Sequence, residues 1–200
     1  MSKKILPQVI RTDTENTTDG ERLLEGKKVN LRIMEKEDFP LLLEWFNNSQ
    51  FEGEFEPLDP QRSKKEFEDR YEKLGPDEKS FLIEKKDGSR IGSIGHYPSG
   101  SMLEIGYSIF PDERGKGYCT EAVQIMVDYL FMSRNIVRVQ AHTNIRNKAS
   151  QRVLEKSGFK KEGTLRKSDF IRGEWTDMFI FSILREEWKE PKILTRTVTK

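Results

Sequence analysis

Between Phe110 and a helical stretch that opens near Gly117 runs Pro111-Asp112-Glu113-Arg114-Gly115-Lys116-Gly117-Tyr118-Cys119-Thr120. Two glycines alternating with basic residues let the backbone approach a ligand closely and aim successive N–H groups at one point. The positive end of the following helix adds to that attraction. The chemistry suits a phosphate or pyrophosphate. No Lys-Ser/Thr pair follows a Gly-x-x-x-x-Gly spacing, so this is not a Walker loop, and Gly-x-Gly-x-x-Gly fails at Thr120, so it is not the dinucleotide fingerprint. Spacing alone is equally compatible with a glycine-rich turn ahead of a buried helix. Cys119, the chain's one cysteine, sits at the same helix start. There a thiol can have a lowered pKa, or the residue can serve as a small buried filler.

The elements that must position this loop follow from hydrophobic periodicity. Val29 to Ile33 alternates as a strand. From Asp38, a candidate N-cap, Phe39-Leu42-Leu43-Phe46 steps at helical spacing, and Gln61 to Leu74 repeats the pattern on a heavily charged helix. Ser80 to Lys86 and Arg90 to Tyr97 flank the hairpin signal Lys86-Asp87-Gly88-Ser89, and a turn at Pro98 to Ser101 leads to a strand over Met102 to Phe110. The helix from Gly117 carries Ala122, Ile125, Met126, Tyr129 and Leu130 as one apolar stripe. A strand over Ile136 to Ala141, a helix over Asn147 to Lys156 ended by Gly158, and strands over Phe159–Arg166 and Trp175–Leu184 complete the order. The early strands are joined by hairpins and are antiparallel. The strands on either side of the glycine-loop helix are joined by a crossover and are parallel. The fold class is α/β, a mixed sheet with helices on both faces.

With 35 basic and 34 acidic residues among 200, the chain lacks the basic excess of a protein that lives on nucleic acid. A lone cysteine excludes an internal disulfide framework and fits a reducing compartment. No apolar run reaches the roughly 20 residues needed to span a bilayer, and the start lacks a signal-peptide core, so the expected location is the cytoplasm, with no membrane partner. One domain is expected over 27–188, between a flexible N-terminal arm (1–26) and a charged C-terminal tail (189–200).

Pro111-x-x-Arg114-Gly115-Lys116-Gly117-Tyr118 followed by Thr120-Glu121-Ala122 resembles the acetyl-CoA signature (Arg/Gln)-x-x-Gly-x-(Gly/Ala) of the GNAT acyltransferases. Asn144-x-x-Asn147-x-x-Ser150 with Val153 to Phe159, and Gly173-Glu174-Trp175-x-Asp177, are similar to the Rim-type branch of that family. The branch includes ribosomal-protein alanine N-terminal acetyltransferases and enzymes acting on polyamines, antibiotics and other small amines. The resemblance runs from about Val29 to Trp188. It implies the GNAT fold, acetyl-CoA as co-substrate without a metal, and direct acetyl transfer to a primary amine. The branch favours a protein or peptide N-terminus as acceptor, with a small amine as the alternative, and suggests a homodimer. Cys119 stands where Gly or Ala is usual.

The resemblance also implies roles. Ile109, Phe110, Arg114, Gly115, Lys116, Gly117, Tyr118, Cys119, Thr120, Asn144 and Asn147 would contact the cofactor. Many members donate a proton to the departing thiolate from a tyrosine, and that position here is Leu154. Ser150, one turn earlier on the same face, is the branch's proposed acid. Its weak acidity, and the missing tyrosine, leave a second reading in which the chain is a catalytically silent acyl-CoA-binding module. A base must meet an alkylamine whose pKa is about 10.4. Glu104 and Asp169 stand where family members carry a carboxylate, and His96 lies on a neighbouring strand. An acceptor groove built from the first two helices and the last hairpin would use Trp45, Phe55, His96 and Trp175, beside the acidic, aromatic stretch Phe51 to Glu56.

Overall fold

The computed structural model describes residues 23–48, 51, 53–57, 62–100 and 102–193. The arm up to residue 22, the tail beyond 193, Glu52 and Gln61 lie outside the described residues. Among the described residues, eight strands form one sheet: β1 (Leu23–Glu25), β2 (Val29–Ile33), β3 (Lys79–Lys85), β4 (Arg90–Ser99), β5 (Met102–Ile109), β6 (Arg138–Asn144), β7 (Lys160–Ile171) and β8 (Glu174–Leu184). Accompanying them among the described residues are the helices α1 (Phe39–Phe46), α2 (Lys64–Glu72), α3 (Tyr118–Ser133) and α4 (Lys148–Lys156). The spatial order is β1-β2-β3-β4-β5-β6-β8-β7. Every neighbouring pair is antiparallel except β5 and β6.

That parallel pair positions the site. β5 and β6 pair only at Leu103↔Val139 and Glu104↔Gln140. β5 then follows β4 out to Ile109, and β6 follows β8 out to Asn144. The two strands therefore part after Glu104, and a wedge opens in the middle of the sheet. Successive side chains of a strand point to opposite faces of the sheet, while its backbone polar groups lie in the plane and alternate between the two edges of the strand. Every second residue of β5 past Glu104 consequently turns its N–H and C=O into the wedge.

Each face has its own core. Phe81, Ile94, Ile105 and Ile109 pack with Ile125, Met126 and Leu130 of α3. Leu82, next to Phe81, belongs instead to a second cluster with Met34, Phe39, Leu42, Trp45, Phe51 and Phe67. Alternation along β3 thus puts α3 on one face and α1 with α2 on the other. α3 is buried on most of its circumference, Ala122, Val123, Met126 and Val127 included. α2 buries only Phe67 and owes its start to a reciprocal cap: Ser63 Oγ accepts from Glu66 N–H, and Ser63 N–H donates to the Glu66 carboxylate at 2.8 Å.

Several boundaries differ from the sequence reading. Leu23–Glu25, inside the expected flexible arm, is an edge strand on β2. Asp38 does not cap α1 through its side chain. Its carboxylate is buried and held by Arg32 at 2.7 and 3.0 Å. Burial alone would raise that carboxyl, but the Arg32 hydrogen bond, the Glu35 N–H and the charges of Arg32 and Arg90 together outweigh it and hold Asp38 below the usual range. β6 is displaced toward Asn144 relative to the apolar run at Ile136, and Val137, just ahead of it, is 73% exposed. β7 runs on to Ile171 past a bulge between Leu165 and Asp169, where Lys167 takes φ +47° and donates its N–H to Asp177 Oδ1 at 2.8 Å. The start of the expected tail is docked on α3: the buried Asp128 accepts from Trp188 Nε1 at 2.7 Å and from the backbone N–H groups of Lys192 and Ile193.

Candidate active site

The glycine loop forms as the alternation of Gly and basic residues suggested. Gly115 and Gly117 adopt φ +76° and +84°, the left-handed region that glycine enters without a Cβ penalty, and Gly117 is the N-cap of α3. Among the described residues, no group accepts from the backbone N–H groups of Gly115 through Thr120. Those of the first helical turn have no intrahelical partner by construction. Glu121 anchors the turn from behind, accepting from the N–H groups of Lys27, Lys28 and Val29 at 2.8, 2.7 and 3.1 Å. Arg114 turns back, donating from Nε to Ile109 O at 3.2 Å and from Nη2 to Phe51 O at 3.5 Å. Lys116 is clamped to Glu113 at 2.8 Å. Beside the loop a cavity of about 470 Å³ is lined by Lys28, Lys85, Lys86 and Lys116 with Asp87 and Tyr118.

Cys119 does not carry the activated thiol its helix-start position allows. Burial pushes the thiol up to about 12, and the nearby Arg114 charge offsets only part of that. It is a packed filler.

α4 begins beside the wedge. Asn147 Oδ1 accepts from Ser150 N–H at 3.0 Å as its N-cap. Its Nδ2 has no partner among the described residues. Asn144 is spent within the protein: Nδ2 donates to Thr176 Oγ1 at 2.6 Å, and Oδ1 accepts from Arg146 N–H at 2.9 Å. Ser150 Oγ lies 2.9 Å from the hydroxyl of Tyr107. Tyr107 was missed by the sequence reading, which looked for a phenol only at position 154. It is two residues beyond Ile105 on β5 and so faces α3. Burial drives the Tyr107 phenol well above its ordinary value, so it keeps its proton.

On the opposite face, at the vertex of the wedge, lies Glu104. It is 6% exposed and accepts from Tyr97 Oη at 2.7 Å, Gln140 Nε2 at 3.0 Å and His142 Nδ1 at 2.9 Å. Burial would raise this carboxyl, and the hydrogen bonds from His142, Gln140 and Tyr97 hold it below the usual range instead. The same bond raises the His142 imidazole. His142 was also missed. Its signal was present: Gln140, His142 and Asn144 alternate with Val139, Ala141 and Thr143 along β6. Asp169 is half-buried on β7, close enough to act electrostatically on both His142 and Tyr97.

His96 does not join this group. It pairs across β4 and β5 with Ile105, is 1% exposed, and packs its ring 6.1 Å from Tyr129 of α3, whereas Tyr97 and Glu104 face away from α3. Burial lowers its imidazole to about 4, so it is a neutral core residue. Trp45 likewise is 4% exposed and packs on Phe51 and Phe110. Phe55 is partly buried. Trp175, 61% exposed, packs against Phe170 at a tilt near the tip of the β7–β8 hairpin, and Arg172 ties that hairpin to Gly53 O at 2.7 Å.

On the α1–α2 face is a cavity of about 390 Å³, whose link to the Glu104 cluster is Tyr97, which lines it and donates to Glu104. Its floor is the cross-strand pair Gly95 and Gly106, whose missing side chains leave the space. Its walls carry Tyr71, Tyr97, Glu56, Arg62, Arg70 and Glu78. The sheet thus separates a phosphate-ready loop and a hydroxyl pair from an acceptor-sized cavity and a carboxylate–imidazole pair, and the wedge opens between them.

Residues 28–160 match the model of the acetyltransferase (GNAT) domain. The chain belongs to the GNAT acetyltransferases. The GNAT chain is 33% identical over 180 residues to the probable N-acetyltransferase YjcK of Bacillus subtilis, covering 82% of itself and 98% of that protein. The ribosomal-protein-S5-alanine acetyltransferase of Vibrio fischeri superposes with a TM-score of 0.72 at 25% identity, over 84% of this chain and 99% of that one. Spermidine N-acetyltransferase of Vibrio cholerae, solved with CoA and spermine, also gives 0.72, at 24% identity over 80% and 97% of the two chains. This GNAT protein is therefore an N-acetyltransferase, and acetyl-CoA is the family's co-substrate. Among the described residues, no group of three or more His, Cys, Asp or Glu could hold a metal, and no helix is long and apolar enough to cross a membrane.

Proposed function

We propose that the chain transfers acetyl from acetyl-CoA to the α-amine of a protein or peptide. The carrying observation is the wedge, which connects two differently equipped faces. On the α3 face, the unpartnered N–H groups of Gly115 to Thr120 fit the CoA pyrophosphate, and Asn147 Nδ2 fits an amide of the pantetheine arm. Acetyl-CoA supplies the activated thioester. The chain's own part is to hold it in the wedge, to polarise the carbonyl with a wedge-facing N–H of β5, and to protonate the leaving sulfur from the Tyr107–Ser150 hydroxyl pair. That pair supplies a donor where Leu154 replaces the family tyrosine, which favours an enzyme over a silent acyl-CoA-binding module.

The cavity's charges favour the peptide acceptor. Arg62 and Arg70 line it together with Glu56 and Glu78. A polyamine is cationic along its length and meets two guanidiniums there. A peptide N-terminus offers an ammonium to the acids and carbonyl or carboxylate oxygens to the arginines. The small-amine reading rests on the acids that surround Tyr97, namely Glu56, Glu104 and Asp169.

Competition between peptide and polyamine pools, scored as kcat/KM, tests this reading. Arg70→Glu should shift the ratio toward polyamines by about tenfold, the size of one 1.4 kcal/mol charge contact. An unchanged ratio, or a wild type that prefers polyamines, contradicts the peptide assignment.

A further inference from the structure

Glu104 looks like the natural base, yet its oxygens already accept from three donors on two neighbouring strands, Tyr97 on β4 and Gln140 and His142 on β6. A carboxylate so engaged and held below its usual range is a weak proton acceptor. His142 is differently placed. A carboxylate carries no proton, so in the neutral ring Nδ1 must be the donor across the 2.9 Å contact and Nε2 must keep its lone pair. Nε2 is buried and has no hydrogen-bond partner among the described residues, while the side chain as a whole is 25% exposed. An unsatisfied buried acceptor costs about 1–3 kcal/mol, which a ligand N–H would recover.

We infer that His142, oriented by Glu104, takes the proton from the acceptor amine. This rests on the acetyl-transfer reading above. The acceptor arrives as an ammonium ion, and one N–H proton passes to His142 Nε2. The freed lone pair forms the C–N bond to the thioester carbonyl, and the C–S bond breaks. The nitrogen's second proton leaves as the amide forms and replaces the one that the Tyr107–Ser150 pair gives to sulfur. His142 returns its proton to solvent, and the count closes at one thiol, one amide and one released proton.

The surroundings suit the task. Glu104 from β5, Tyr97 from β4 and Asp169 from β7 are the titratable groups around the ring, and β8 presents the apolar Ile180 opposite it. The hydrogen bond to Glu104 raises the imidazole above its ordinary value, against the burial that would lower it, and the Glu104 and Asp169 charges add to that.

The chain has two histidines, so imidazole NMR of the wild type separates them readily. His142 should titrate above the ordinary value, with Nδ1 protonated in the neutral ring, and Glu104→Gln should lower its midpoint. His142→Gln should lower kcat about 10²- to 10⁴-fold while the KM for acetyl-CoA holds. The acid limb of kcat should move down in Glu104→Gln together with the imidazole midpoint, whereas a limb belonging to the amine would stay in place. The inference is overturned by a neutral ring protonated on Nε2, by His142→Gln retaining kcat within about threefold, or by a limb that ignores the imidazole shift. A wild type active with an acceptor but indifferent to these changes sinks this inference alone. A wild type silent toward every acceptor sinks the transfer reading as well.

Discussion

The hydroxyls of Tyr107 and Ser150 lie 2.9 Å apart and join β5 to the helix that follows β6. If they deliver one proton to sulfur as a unit, their removals are not additive. Tyr107→Phe and Ser150→Ala should each slow single-turnover thiol release about 10- to 100-fold, and the double variant should be no slower than the worse single one. CoA affinity should hold in all three. Additive losses would assign the hydroxyls separate roles.

Gly117 holds φ +84° at the N-cap of α3. A side chain there costs about 1–2 kcal/mol in the left-handed region. The Lys28 ammonium, 3.2 Å from the position of an added Cβ, can swing aside, so backbone strain decides the outcome. Gly117→Ala should weaken CoA binding about tenfold by calorimetry as the loop relaxes its N–H groups out of register.

His96 makes the protein acid-sensitive. Its folded pKa, near 4, lies below the unfolded 6.5, so the stability it contributes is present above pH 6.5 and is lost as pH falls toward 4. The shift corresponds to roughly 3 kcal/mol at most. Denaturant unfolding of His96→Leu should lose much of the slope between pH 6.5 and 4 that the wild type shows.

Asp128 is the buried anchor for the chain's descent from β8. Asp128→Ala leaves the Trp188 indole N–H and the N–H groups of Lys192 and Ile193 without their acceptor. Solvent can reach some of these, so the expected loss is about 3 kcal/mol rather than the sum of three unsatisfied donors. Urea unfolding measures it, and limited proteolysis should cut first near Lys189.

What the sequence revealed depended on how far apart the cooperating residues lie. The glycine loop was legible because its donors are consecutive, and the strand order because periodicity is local. Glu104 with His142, and Tyr107 with Ser150, are 38 and 43 positions apart. Each pairing exists only through the β5–β6 register and the crossover helix. His96 was misread because Gly92 and Gly95 blur the alternation of β4, so only its pairing with Ile105 shows which face it occupies. The bulge at Lys167 carries no glycine to announce it.

Acetyl should move from acetyl-CoA to an α-amine presented in the cavity that Tyr97 lines. The most direct test is thiol release with acetyl-CoA and pooled peptides, polyamines and aminoglycosides, followed by mass-spectrometric location of the acetyl group. Turnover with peptides and an acetyl group on the α-nitrogen are expected. Saturable CoA binding without thiol release toward any pool would contradict it.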